Sequence, residues 1–119
     1  MKRILLGLLL ISSCLSGLSS RAQLVLVHFD FDHVTAAQYD GTWDDLRASG
    51  HAHPKGLISH VGASKPNGGW KVVDLWESEQ AFEEFGKILM PILAKNNIPM
   101  IQPEVCPIHW MYEKKMEAV

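Results

Sequence analysis

The stretch GLISHVGA, residues 56–63, places His60 in a run of otherwise apolar and small residues. An imidazole in such a run is either satisfied by a neighbour or kept for chemistry. Asp74, in WKVVDLWE, offers a carboxylate that can fix the imidazole tautomer and raise its basicity, giving a general base near neutral pH. His28, in QLVLVHFDF, supplies a second imidazole. The chemistry these groups suit is proton abstraction from an acidic phenol or from an activated carbon of a cyclic substrate. Trp76 would form a flat wall for that substrate, Tyr39 could donate a hydrogen bond at a cleft mouth, and His109 would face the same cavity. His60, His28 and Asp74 could equally satisfy one another as a buried polar network that fixes the register of an interface.

Other polar spacings are weaker. His51-Ala52-His53 and Asp30-x-Asp32-His33 have the residue types of metal ligands but sit at element ends without a spaced partner motif, so no metal is expected. Cys106 follows no nucleophile pattern and reads as a small packed side chain.

The elements that must position these residues follow from periodicity. Residues 23–31 alternate as a strand. Thr35 and Gln38 have capping-box spacing, Tyr39, Trp43 and Leu46 recur at helical intervals, and Gly50 suits a helix stop. Leu57–Ala63 reads as a second strand, SKPNGG (64–69) as a hairpin loop, and residues 70–77 as a third strand. Ser78 caps a second helix whose stripe is Phe82, Phe85, Leu89 and Leu93, with Pro91 expected to kink or end it. A last strand is expected from Val105 to Tyr112. The order βαββαβ is that of an α+β, ferredoxin-like fold, an antiparallel sheet with two helices on one face.

Alternation then sorts the sheet residues. With Phe29 toward the helices, that layer is expected to hold Val25, Val27, Phe31, Leu57, Val61, Val73, Leu75, Ile108 and Trp110. The opposite face would carry Leu26, His28, Asp30, Ile58, His60, Val72, Asp74, Trp76, His109 and Met111. That face is too apolar for solvent, so two sheets are expected to stack as a homodimer with the polar groups inside.

The run GLISHVGASKPNGGWKVVDLWESEQAFEEF, with Tyr39-Asp40 in the first helix, resembles the dimeric α/β barrel superfamily, close to its antibiotic-biosynthesis-monooxygenase-like group. The shared features are a Gly-Leu-Ile-x-His strand, a Gly-containing hairpin, a strand ending in Trp-Glu-Ser and a helix with paired Phe. The resemblance implies a ferredoxin-like protomer, dimerisation through the sheets and a cleft between sheet and helices. It also implies cofactor-independent monooxygenase-like or cyclase-like chemistry on small aromatic or polyketide-like molecules, although the superfamily includes haem-degrading enzymes, lactone isomerases and proteins without assigned activity. Asn and Trp often serve its monooxygenases, and His with Tyr its cyclases. His60, Trp76 and Tyr39 match loosely, and no Asn stands in the strands. A non-catalytic ligand-binding or stress-associated protein is the alternative.

The first 22 of the 119 residues read as an export signal: Lys2 and Arg3, an apolar run from Ile4 to Ile11, then Ser20-Arg21-Ala22 as a cleavage pattern. The run is too short to span a membrane. Ile11-Ser12-Ser13-Cys14 resembles a lipobox, which would instead anchor the protein through a lipid on Cys14. Either route exports it, to the periplasm or beyond. Cleavage after Ala22 leaves a domain at 23–119 with Cys106 as its lone cysteine. The loss of Lys2, Arg3 and Arg21 from 11 basic residues, against 13 acidic ones, makes the domain acidic and argues against nucleic acid as partner.

Overall fold

The computed structural model describes residues 23–114. The signal segment expected at residues 1–22, with Cys14 and Ala22, lies outside the described residues. The chain runs β1 (Val25–Phe31), α1 (Ala36–Ala48), β2 (Leu57–Ser64), β3 (Trp70–Trp76), α2 (Glu79–Lys95) and β4 (Glu104–Pro107). The four strands form one antiparallel sheet in the order β2-β3-β1-β4, the split βαβ arrangement expected from the element order.

Local chemistry explains the boundaries. Thr35 Oγ1 accepts from the Gln38 amide at 3.2 Å, and Gln38 Oε1 accepts from the Thr35 amide at 2.8 Å, closing the capping box of α1. Ser78 Oγ accepts from the Ala81 amide at 3.0 Å and starts α2. The hairpin turns through Gly68 and Gly69, both at positive φ. At Gly69 a side chain would run into the backbone of Phe31 and Asp32. One part of the expectation fails: Pro91 does not end α2, which continues to Lys95. Proline removes one intrahelical donor, and the packing of Phe85 and Leu93 on either side outweighs that loss.

The last strand also stops early. β4 is an edge strand whose one partner is β1, and β1 begins at Val25. Ile108 still donates to the Leu24 carbonyl at 2.9 Å, and beyond it there is no strand to pair with. Ile108, His109 and Trp110 therefore follow the sheet instead of lining a face of it, and Trp110 is exposed.

Two apolar clusters hold the helices to the sheet. One gathers Val25, Val27 and Trp76 with Phe82 and Phe85 of α2. The other gathers Phe31, Val34, Val72 and Ile98 with Tyr39 of α1, and Phe29 touches both. Asp45 of α1 joins the two helices by accepting from Asn96 Nδ2 at 2.9 Å and Lys95 Nζ at 3.2 Å.

Candidate active site

The helix-facing layer differs from the expected one in a way that builds the site. On β1 the alternation is as read, with Val25, Val27, Phe29 and Phe31 inward. On β3 the inward residues are Val72, Asp74 and Trp76, while Val73 and Leu75 lie on the open face. The expected assignment of β3 was off by one residue, which exchanges every side chain between faces. On β2 a bulge between Leu57 and Ser59 sets two residues against one of β3. Leu57 therefore packs inward beside Trp76, Ile58 and Val61 point outward, and the parity change brings His60 inward opposite Asp74. His60 and Asp74 thus face the helices and not the bare face of the sheet.

His60 and Asp74 are direct cross-strand partners, and His60 Nδ1 lies 2.6 Å from Asp74 Oδ1. A carboxylate can only accept, so Nδ1 carries the proton. The other ring nitrogen, Nε2, lies 2.6 Å from the Tyr39 hydroxyl, which donates to its lone pair. Trp76 Nε1 donates to the second Asp74 oxygen at 3.3 Å, and Asp74 is only 7% exposed. Burial raises the Tyr39 phenol above its ordinary 10.0; the Trp43 side chain opposes that shift, and the charges of Asp74 and Asp40 add to it. The phenol is therefore a neutral donor at physiological pH. Trp43 meets the His60 ring edge-on at 5.0 Å between centroids.

Tyr39 reaches His60 because of a glycine. Gly62 is the next inward position on β2, and a side chain there would collide with the Tyr39 hydroxyl and ring. Its bare backbone lets the phenol lie across the strand.

The Asp74–His60–Tyr39 chain borders a small cavity of about 70 Å³ between sheet and helices. Its wall is otherwise apolar and largely aromatic, with Phe29, Trp43, Trp70, Trp76 and Phe85 prominent. Thr42 is the remaining polar residue there, and its hydroxyl is already spent on the Gln38 carbonyl at 2.9 Å. Of the residues singled out by sequence, the structure brings together His60, Asp74, Trp76 and Tyr39.

It does not bring in His28 or His109. His28 lies on the open face, opposite Val73, with Nδ1 3.7 Å from Glu104. His109 is exposed beyond β4 and is not among the residues around the cavity. Sequence reasoning placed neither Trp70 nor Trp43 in the cavity wall. A phenol sharing a helical stripe with Trp43, opposite a strand carrying His60, was the available signal. Among the described residues, no group of three His, Cys, Asp or Glu could hold a metal ion.

Solved structures share this fold. SnoaB, a cofactor-independent oxygenase from Streptomyces nogalater, superposes with a TM-score of 0.54 at 12% identity over 78% of this chain and 99% of its own. A mutant of SnoaB gives 0.56 at 11% identity, covering 77% and 98%. The chain has a monooxygenase-like fold. A candidate antibiotic biosynthesis monooxygenase from Caulobacter crescentus CB15 gives 0.55 at 17% identity, over 76% of this chain and 93% of that one. No protein-family model matches the chain. No curated protein matches it either. At these identities the monooxygenase-like likeness is one of fold.

Proposed function

We propose that the protein abstracts a proton from a small aromatic or polyketide-like molecule held in the aromatic cavity, without an organic cofactor. The observation that carries this is the Asp74–His60–Tyr39 chain: an imidazole with Nδ1 anchored to a carboxylate and Nε2 turned toward the cavity through a phenol. In the reaction the substrate proton moves to the Tyr39 oxygen as the Tyr39 proton moves to His60 Nε2. Asp74 stabilises the imidazolium that forms. Such base catalysis contributes about 10²–10⁴-fold.

In the monooxygenase-like version the resulting carbanion transfers an electron to dioxygen. The two radicals combine as a carbon-bound peroxide anion, which takes the abstracted proton back from the His60–Tyr39 pair to become a hydroperoxide, and loss of water leaves a carbonyl. An activated methylene plus O₂ thus gives a ketone plus water. The SnoaB fold likeness supports this version, and in the cyclase-like version the carbanion attacks a carbonyl of the same molecule instead. The test is oxygen uptake with polycyclic phenols and activated aryl ketones, in wild type and His60→Ala. The variant should turn over at least about 100-fold more slowly while remaining folded; an unchanged rate would rule His60 out as the base.

A second reading is a non-catalytic ligand-binding cavity. Both ring nitrogens of His60 already have partners, as in a satisfied structural network. Under that reading His60→Ala unfolds the protein and no substrate is turned over.

The open sheet face supports a homodimer. It carries Leu26, Ile58, Val61, Val73 and Leu75, with Ile58 and Val61 exposed in the single chain. Export through residues 1–22 is part of the same proposal, and the mass of the mature N-terminus would distinguish cleavage before Gln23 from a lipid on Cys14.

A further inference from the structure

The cavity beside the Asp74–His60–Tyr39 chain has a volume of about 70 Å³. An apolar cavity of about 150 Å³ stays free of water and takes one benzene or one xenon. At about half that size, this one excludes an aromatic ring and admits a diatomic guest. Its inner wall is apolar: Leu46, Val72 and Trp76 border it and are buried, and Leu57 and Leu89 border it as well. The polar groups at its wall are committed to one another. The Tyr39 hydroxyl donates to His60 Nε2, His60 Nδ1 and Trp76 Nε1 donate to Asp74, and the Thr42 hydroxyl donates to the Gln38 carbonyl. A buried water needs about two to four polar partners, and these donors are not free to supply them. A wall that faces an empty gap also forfeits dispersion contacts, so an apolar guest of matching size is favoured there.

We propose that this chamber is the dioxygen site, an assignment that rests on the monooxygenase-like version of the proposed function. Tyr39 and Trp43 border the chamber from α1 and keep partial exposure, so the aromatic molecule approaches from that side. Its C–H proton passes to the Tyr39 oxygen as the phenol proton passes to His60. The carbanion then gives one electron to the dioxygen held in the chamber. The carbon radical and superoxide join as a peroxide anion, which recovers the proton from the His60–Tyr39 pair, and the hydroperoxide loses water to leave a carbonyl. Dioxygen is neutral and apolar, so it enters such a chamber from water readily. The charge it gains forms beside the protonated pair, which stabilises it.

Dioxygen itself is the probe, because it is paramagnetic and speeds the relaxation of nearby methyl groups. In methyl-labelled protein under oxygen pressure, the methyls of Leu46, Leu57 and Val72 should relax several-fold faster than those of Val25 and Val27, which are buried but do not border the chamber. Leu46→Phe, which fills the chamber, should abolish that excess at Leu57 and Val72. The oxygen KM of this variant, with 1-tetralone as the aryl ketone, should rise about tenfold. Should Leu46→Phe not fold, Val72→Ile adds one methylene and should reduce the excess at Leu46 and Leu57. Uniform relaxation across buried methyls, an excess that survives both substitutions, an unchanged oxygen KM, or no oxygen uptake by wild type would each overturn the assignment. Deuterium exchange at the α-carbon of 1-tetralone, measured without oxygen in wild type and His60→Ala, reads the base separately. Equal exchange in the two proteins removes His60 as base, whereas the methyl relaxation reports on the dioxygen chamber alone.

Discussion

The His60 imidazole is held from both sides, and the proton on each bond is dictated by its partner. Asp74 forces the proton onto Nδ1, and that leaves Nε2 to accept from Tyr39. Tyr39 is consequently the group whose ionisation the fold resists. An unfolded chain ionises this phenol near its ordinary 10.0, while the folded protein holds the proton to higher pH, chiefly through burial. Between those two values the unfolded state has lost a proton that the folded state keeps, so stability falls as pH rises. The contribution is complete below pH 10 and disappears above it. Denaturant titrations from pH 8 to 11 should show a steeper loss in wild type than in Tyr39→Phe. Lys65, whose pKa is raised by its pairing with Asp30 and which also loses stabilisation at high pH, is common to both proteins and cancels.

At the scale of the elements, a bulge and a glycine decide what the site contains. Most of the fold was legible in sequence: β1 alternates cleanly, the Thr35–Gln38 box and Ser78 mark the helix starts, and the glycines mark the hairpin. The faces of β2 and β3 were not. β3 is a central strand with apolar residues in both phases, Val72 and Trp76 on one and Val73 and Leu75 on the other. A carboxylate at Asp74 then suggests an outward face, when in fact the histidine opposite satisfies it. On β2 the bulge at Leu57/Ser59 inverts parity with no Gly or Pro inside it, and Gly56 just before it reads as the end of the preceding turn. The two errors ran together, so His60 and Asp74 were still matched with each other. His28, counted on regular β1, was wrongly included. Gly62 supplies a test at this scale. Gly62→Ala should push Tyr39 off His60, cost about 1–3 kcal/mol in denaturant unfolding and remove the Tyr39–His60 hydrogen bond in a crystal structure. An alanine variant of unchanged stability, with that bond intact, would show that α1 can shift at no cost.

For the whole molecule, the two faces of the sheet have separate tasks. The inner face holds the cavity, and the outer one presents Leu26, Val73 and Leu75 flanked by the exposed Val61 and Ile58. Val61 is 59% exposed and makes no contribution to the core, so Val61→Asp should leave the fold intact. Light scattering after size exclusion should give a dimer for wild type and a monomer for the variant, because a carboxylate buried without a partner in an apolar interface costs several kcal/mol. A Val61→Asp protein that stays dimeric would move the interface elsewhere.

Asp74, His60, Tyr39, Trp76 and Trp70 all come from one chain and meet on its inner side. The outer face lies on the opposite side of the sheet from them. On the proposed function, turnover per chain should hold steady on dilution, and an inactivated copy mixed with active ones should subtract only its own share.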